Sequence, residues 1–195
     1  MAPQYGFSKH FFQLMASKRN TFFDKPINKA VSGQKIDFDI CDAICHEMKK
    51  LGTLGQKQVH VISLGTNNLR FKEEDLKPFF EQLAQQAKLI PNCHLVFCSL
   101  IPSNSTDKDD PEKKFIGSKK RFAPCSLLLS QMADGKNISF FNFNLTCQNQ
   151  GELIQKYFFS ANSGAKGYHL NDLGGKTLAM MLHRHLFQVV KPIIA

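Results

Sequence analysis

Two side-chain amides, Asn67 and Asn68, follow a glycine at the end of the apolar run 59–64, and His169 stands just ahead of the chain's last apolar stripe. A side-chain amide can donate to an oxyanion and an imidazole can take a proton from a hydroxyl, so these residues supply two parts of an acyl-transfer site. A buried strand that breaks off into glycine and polar residues sets them at the carboxyl edge of a sheet, where open α/β folds keep their ligand sites. About a hundred residues separate Asn67 from His169, so only tertiary structure could bring them together.

The elements that would position them follow from apolar periodicity. Cys41, Ile44, Cys45, Met48 and Leu51 recur at helical spacing, with Gly52 as the expected carboxyl-terminal cap. Residues 59–64 are short, β-branched and bounded by turn formers, and read as a buried strand. Leu76, Phe79, Phe80, Leu83, Ala84 and Ala87 predict a second one-sided helix. Its first turn holds Glu73, Glu74 and Asp75, where the helix dipole favours acids, and Pro78 is tolerable only near that start. Residues 94–101 predict a strand closed by Pro102, 103–120 a polar loop, 122–133 a helix, 138–143 a strand and 173–190 a last helix. On that last helix Leu178, Met181, Leu182, His185, Leu186 and Val189 form one stripe, and His183 and His185 are read as structural. Strands alternating with helices predict one α/β domain over residues 1–195, its parallel sheet covered on both faces.

The 195 residues are enough for one well-buried core. A net charge of +9 permits contact with nucleic acid, anionic lipid or acidic substrates. The cationic cluster Lys113, Lys114, Lys119, Lys120 and Arg121, however, lies beside Asp107, Asp109, Asp110 and Glu112, as in a solvated loop. Six cysteines include no Cys-x-x-Cys pair, and Cys41, Cys45 and Cys98 sit among apolar residues, so no metal site is expected. No leader-like segment is recognised, and no apolar run approaches the ~18 residues of a membrane span. The expected location is cytoplasmic or nuclear, with reduced thiols.

Four spaced blocks resemble those of the SGNH (GDSL-type) hydrolases, esterases and lipases on a three-layer flavodoxin-like sandwich with a parallel sheet. Gly65-Thr66-Asn67-Asn68 is similar to the family's Gly-x-Asn-Asp, with asparagine in the final aspartate's place. Lys166-Gly167-Tyr168-His169-Leu170-Asn171 is similar to its Asp-x-x-His block, with lysine where the acid stands. Ala30-Val31-Ser32-Gly33 matches the glycine block, and Gly6-Phe7-Ser8 is the candidate for Gly-Asp-Ser, with phenylalanine replacing aspartate. The resemblance implies Ser8 as nucleophile, His169 as general base, and the Gly33 backbone amide and Asn67 side chain as oxyanion donors. Residues 1–5 are short and poorly apolar for the family's central first strand. That predicts a degenerate or missing strand, unless the natural chain begins upstream, with thin cover over the neighbourhoods of Val59 and Ile27.

The resemblance implies a serine esterase acting on a small-molecule ester and needing no cofactor. A lysine at 166 would oppose protonation of His169, where a carboxylate would favour it. An inactive SGNH-fold binding protein is therefore the alternative. Esterase domains of this type also resemble parts carried by some animal retrotransposons, whose companion proteins bind RNA, and the charge of +9 leaves nucleic acid open as a partner. A flavodoxin-like binding module is the third reading, but no phosphate-cradling glycine loop accompanies it.

Overall fold

The computed structural model describes residues 10, 11, 13–15, 27, 29, 34–66, 68, 72–100, 122–149, 152–153, 155–157 and 170–190. The chain forms two compact units. The first comprises Gln34–Leu100, Lys120–Asn142 and Val189–Ala195, and the second Met1–Gly33, Ile101–Lys119 and Phe143–Gln188.

In the first unit, α1 (Phe38–Thr53) starts where the Asp37 carboxylate accepts from Ile40 N at 2.9 Å. The expected cap at Gly52 is corrected. Gly52 lies inside the last turn, Leu54 is the cap residue, and Gly55 takes the left-handed conformation with φ +66°. The stripe Cys41, Cys45 and Met48 is buried as the periodicity requires. Next, β1 (Gln58–Ile62) leads to α2 (Glu73–Leu89), whose start is fastened by Lys72 N donating to Asp75 Oδ2 at 2.9 Å. Pro78 sits in its second turn. Then come β2 (Cys93–Cys98), α3 (Phe122–Gln131) and β3 (Ile138–Phe141).

The three strands form a parallel sheet in the order β1-β2-β3, with Val59 opposite His94 and Phe97 opposite Phe140. Every residue of β2 is buried, as a central strand with both faces covered must be. In β1 only Gln58 and Ile62 are buried and Val59 is half-buried. One core joins the elements: Met48 from α1, Phe80 and Leu83 from α2, Leu95 and Phe97 from β2, Leu129 from α3 and Ile138 from β3. The Phe80 and Phe97 rings meet edge to face at 5.6 Å. The parallel direction brings the ends of all three strands, and so Gly65, Ser99 and Asn142, to one edge.

The second unit contains α4 (Asn144–Cys147), an antiparallel pair of β4 (Gln148–Asn149) and β5 (Glu152–Leu153), and a 3₁₀ turn at Gln155–Tyr157. Its long helix α5 (Asp172–His185) continues as a π-helical turn, Leu186–Val190. Leu178, Leu182 and Leu186 of the predicted stripe are buried. His10, Phe11, Gln13, Leu14 and Met15 are helical, with Met15 buried, while Ile27 is 69% exposed.

Candidate functional site

The loop leaving β1 is held from two sides. Gly65 has φ +103°, a backbone that L side chains rarely adopt, and a Cβ there would come within 3.2 Å of Leu100 Cδ2. Its carbonyl accepts from Asn68 N at 3.0 Å. Asn68 is only 3% exposed, and its amide is engaged at both ends: Oδ1 accepts from Ile36 N and Nδ2 donates to Ile36 O, both at 2.8 Å. This reciprocal pair joins the loop after β1 to the segment entering α1. It also gives a physical reason for asparagine at 68. An ionised carboxylate could accept from Ile36 N but would turn a second oxygen toward Ile36 O.

At the head of α5, Asn171 is the cap residue. Its Oδ1 accepts from Gly174 N at 2.9 Å, its Nδ2 donates to Lys156 O at 2.7 Å, and its own N–H donates to Tyr157 O at 2.9 Å. The helix start is thereby seated on the 3₁₀ turn. The contact is so close that a Cβ on Gly174 would overlap the backbone oxygen of Tyr157. One residue into the helix, Asp172 Oδ1 is 2.9 Å from Nε2 of His10, which is 9% exposed, and Asp172 Oδ2 pairs with Lys176. Sequence reasoning assigned no role to His10 or Asp172. Their only signal was position: two residues after Ser8 and three after His169.

Ser8, Gly33, Asn67 and His169 themselves lie outside the described residues, as do Phe7 and Lys166 and the loop expected over 103–120. What the structure places are their neighbours. Asn68 and Ile36 meet in the first unit, and His10 and Asp172 meet in the second.

The other polar groups have structural explanations. His94, wholly buried between β2 and β3, has Nδ1 3.3 Å from Lys136 O and Nε2 3.0 Å from Ser139 Oγ. A carbonyl only accepts, so Nδ1 carries the proton and Nε2 accepts from the serine. Burial pushes the His94 pKa below its ordinary 6.5, opposed by the Lys136 carbonyl and by Asp134. Burial opposes ionisation of Asp134, but the N–H groups of Lys136, Ile138 and Asn137 and the nearby Lys88 ammonium hold its carboxyl below the usual range. Cys41, Cys45, Cys93, Cys98 and Cys125 are free and buried. Burial raises Cys41 to about 12 and Cys93 and Cys125 to about 11, so these are neutral thiols rather than nucleophiles.

Among the described residues no group of three or more His, Cys, Asp or Glu could hold a metal ion, and no helix is long and apolar enough to cross a membrane.

Neither a family model nor a curated protein matches the sequence. Solved structures do. A native M. smegmatis aryl esterase is similar over 97% of this chain and 87% of its own, at 16% identity and a TM-score of 0.63. A structure described as an acylhydrolase of Bacteroides fragilis is similar over 93% of this chain and 79% of its own, at 14% identity and a TM-score of 0.64. The chain has the SGNH hydrolase fold. A carbohydrate acetylesterase family member from Sinorhizobium meliloti is also similar, over 76% of this chain and 67% of its own, at 16% identity and a TM-score of 0.51. In the SGNH fold described here, the β1 loop and the head of α5 are the segments flanking Asn67 and His169.

Proposed function

We propose that this protein is a serine ester hydrolase. The observation that carries the reading is the likeness of nearly the whole chain to an aryl esterase, across a fold also shared with a carbohydrate acetylesterase family member. In this reading Ser8 Oγ attacks the ester carbonyl carbon while its proton passes to His169. The Gly33 N–H and the Asn67 amide hold the oxyanion. Collapse of the tetrahedral intermediate breaks the bond to the alcohol, which takes the proton from His169. Water then enters by the same route, releases the acid and restores Ser8. The reaction requires no cofactor.

The two polar pairs support this assignment. Asn68 adjoins Asn67, and Ile36 lies three residues beyond Gly33, so their mutual bonds fasten the chain beside both donors. His10 is two residues from Ser8 and Asp172 three from His169. Chain lengths of two and three residues reach at most ~7 and ~11 Å, so the His10–Asp172 contact ties the nucleophile's segment closely to the base's.

Lys166 favours a second reading, a binding protein that has lost its chemistry, because an ammonium near His169 opposes the imidazolium formed during attack. Hydrolysis of a short-chain activated ester by wild type, Ser8→Ala and Lys166→Asp separates the two. The esterase reading expects slow turnover by wild type, none by Ser8→Ala, and faster turnover by Lys166→Asp, since loss of an orienting acid costs up to ~10⁴ in turnover. Equal rates for wild type and Ser8→Ala would remove Ser8 as nucleophile. An inert Lys166→Asp protein would favour binding alone.

A further inference from the structure

We infer that Asn68 is a positioning residue: by clamping the Ile36 backbone through both faces of its amide, it fixes the loop that carries Asn67 against the segment that follows Gly33. The inference rests on the esterase reading and adds to it a residue that itself touches no substrate. Four observations converge. Asn68 is buried, so its amide has little access to water. Both bonds go to one residue, at 2.8 Å each, so the contact fixes orientation as well as distance. Asn68 N donates to Gly65 O at 3.0 Å, so backbone and side chain of one residue both fasten the loop. Gly65 in turn is packed against Leu100 and Phe80, which anchors the near end of the loop to the core.

The chemistry explains why such a clamp matters. Two oxyanion donors act together only if their separation matches the developing tetrahedral oxygen, and they must be set before the reaction begins. Gly33 and Asn67 come from segments 34 positions apart in sequence, with no covalent constraint on their spacing. The hydrogen-bonded Asn68–Ile36 pair limits that separation instead. A neutral amide is suited to this, because its donor and acceptor are both present at any working pH.

The clamp predicts a specific kinetic signature. Displacing a catalytic group by about 1 Å can cost ~10²-fold in rate, so Asn68→Ala should lose roughly 10- to 100-fold in kcat. KM should stay near the wild-type value, because the oxyanion forms only after binding. The measurement is kcat and KM on a short-chain activated ester, normalised by titration of active sites, with hydrogen exchange at the Ile36 amide on the same proteins. Loss of kcat at constant KM, together with faster Ile36 exchange, is the expected result. Wild-type kcat per active site in a folded Asn68→Ala protein would overturn the positioning role while leaving the esterase reading intact.

Should Asn68→Ala fail to fold, Asn68→Asp decides. A protonated carboxyl offers one donor and one acceptor, as the amide does, so its kcat relative to wild type should climb as pH falls from 8 to 5.5. A flat ratio would overturn the inference. An inert wild type would overturn the esterase reading and the positioning role with it. That failure is recognisable because slow Ile36 exchange, lost in the variant, would still report an intact clamp.

Discussion

Two segments adjoin proposed site residues in sequence, and they are held by opposite kinds of contact. The loop after β1 is fixed by a buried neutral amide that meets a backbone N–H and C=O in one reciprocal pair. The start of α5 is fixed by a cap at Asn171 and by Asp172, which is 64% exposed and shared between His10 and Lys176. A buried neutral pair is insensitive to salt but costly to break, because its partners are left without water. An exposed carboxylate is cheap to lose and screened by ions. In the proposed esterase the first contact adjoins an oxyanion donor in sequence and the second lies three residues from the base.

The largest effects should come from the buried side of that contrast. Asn68→Ala strands Ile36 N–H and C=O, at roughly 1–3 kcal/mol for each buried group left unsatisfied. Thermal or urea unfolding should show that loss at every pH and ionic strength. Gly174→Ala tests the cap separately from the exposed carboxylate. Its methyl group meets Tyr157 O, and overpacking of this kind costs about 1–3 kcal/mol. If the two substitutions proved as mild as a surface change, neither segment would be held as described.

His10→Ala should be milder in stability and should narrow the difference between low and high salt, because the contacts of Asp172 are the screened ones. Equal salt dependence in wild type and His10→Ala would mean that the His10–Asp172 contact does not act as an ion pair. The smallest effect is expected at His94, which is buried like Asn68 but titratable. Its folded pKa lies below 6.5, so between that value and 6.5 the unfolded chain binds the extra proton. Stability is therefore greatest above about pH 6.5 and declines as pH falls through the window. Melting of wild type and His94→Gln from pH 7.5 to 5 measures it, and parallel curves would contradict it.

How much of this was legible in the sequence depends on period. The helices around Cys41, Leu83 and Leu178 and the strands beginning near Val59, His94 and Ile138 carry repeating apolar positions, and the structure has them within a few residues. The pairing of β4 with β5 was not legible, because two residues per strand leave no alternation to read. Gly52 misled as a cap because a glycine after an apolar stripe reads the same inside the last turn or beyond it. The amides at 67 and 68 were visible as a pair. That Asn68 is spent on the fold was not, since its partner is the backbone of Ile36, and backbone groups leave no mark on sequence.

The central claim, that Ser8 is an activated nucleophile, is tested most directly by a phosphorylating ester mimic such as diethyl 4-nitrophenyl phosphate, with the adduct located by mass spectrometry. Attack by Ser8 Oγ on phosphorus would expel 4-nitrophenolate and leave a diethyl phosphate on the serine. The account predicts a single adduct on the peptide containing Ser8, slower to form in Asn68→Ala and absent in Ser8→Ala. No adduct under conditions that label a known serine esterase, or an adduct on another residue that persists in Ser8→Ala, would contradict it.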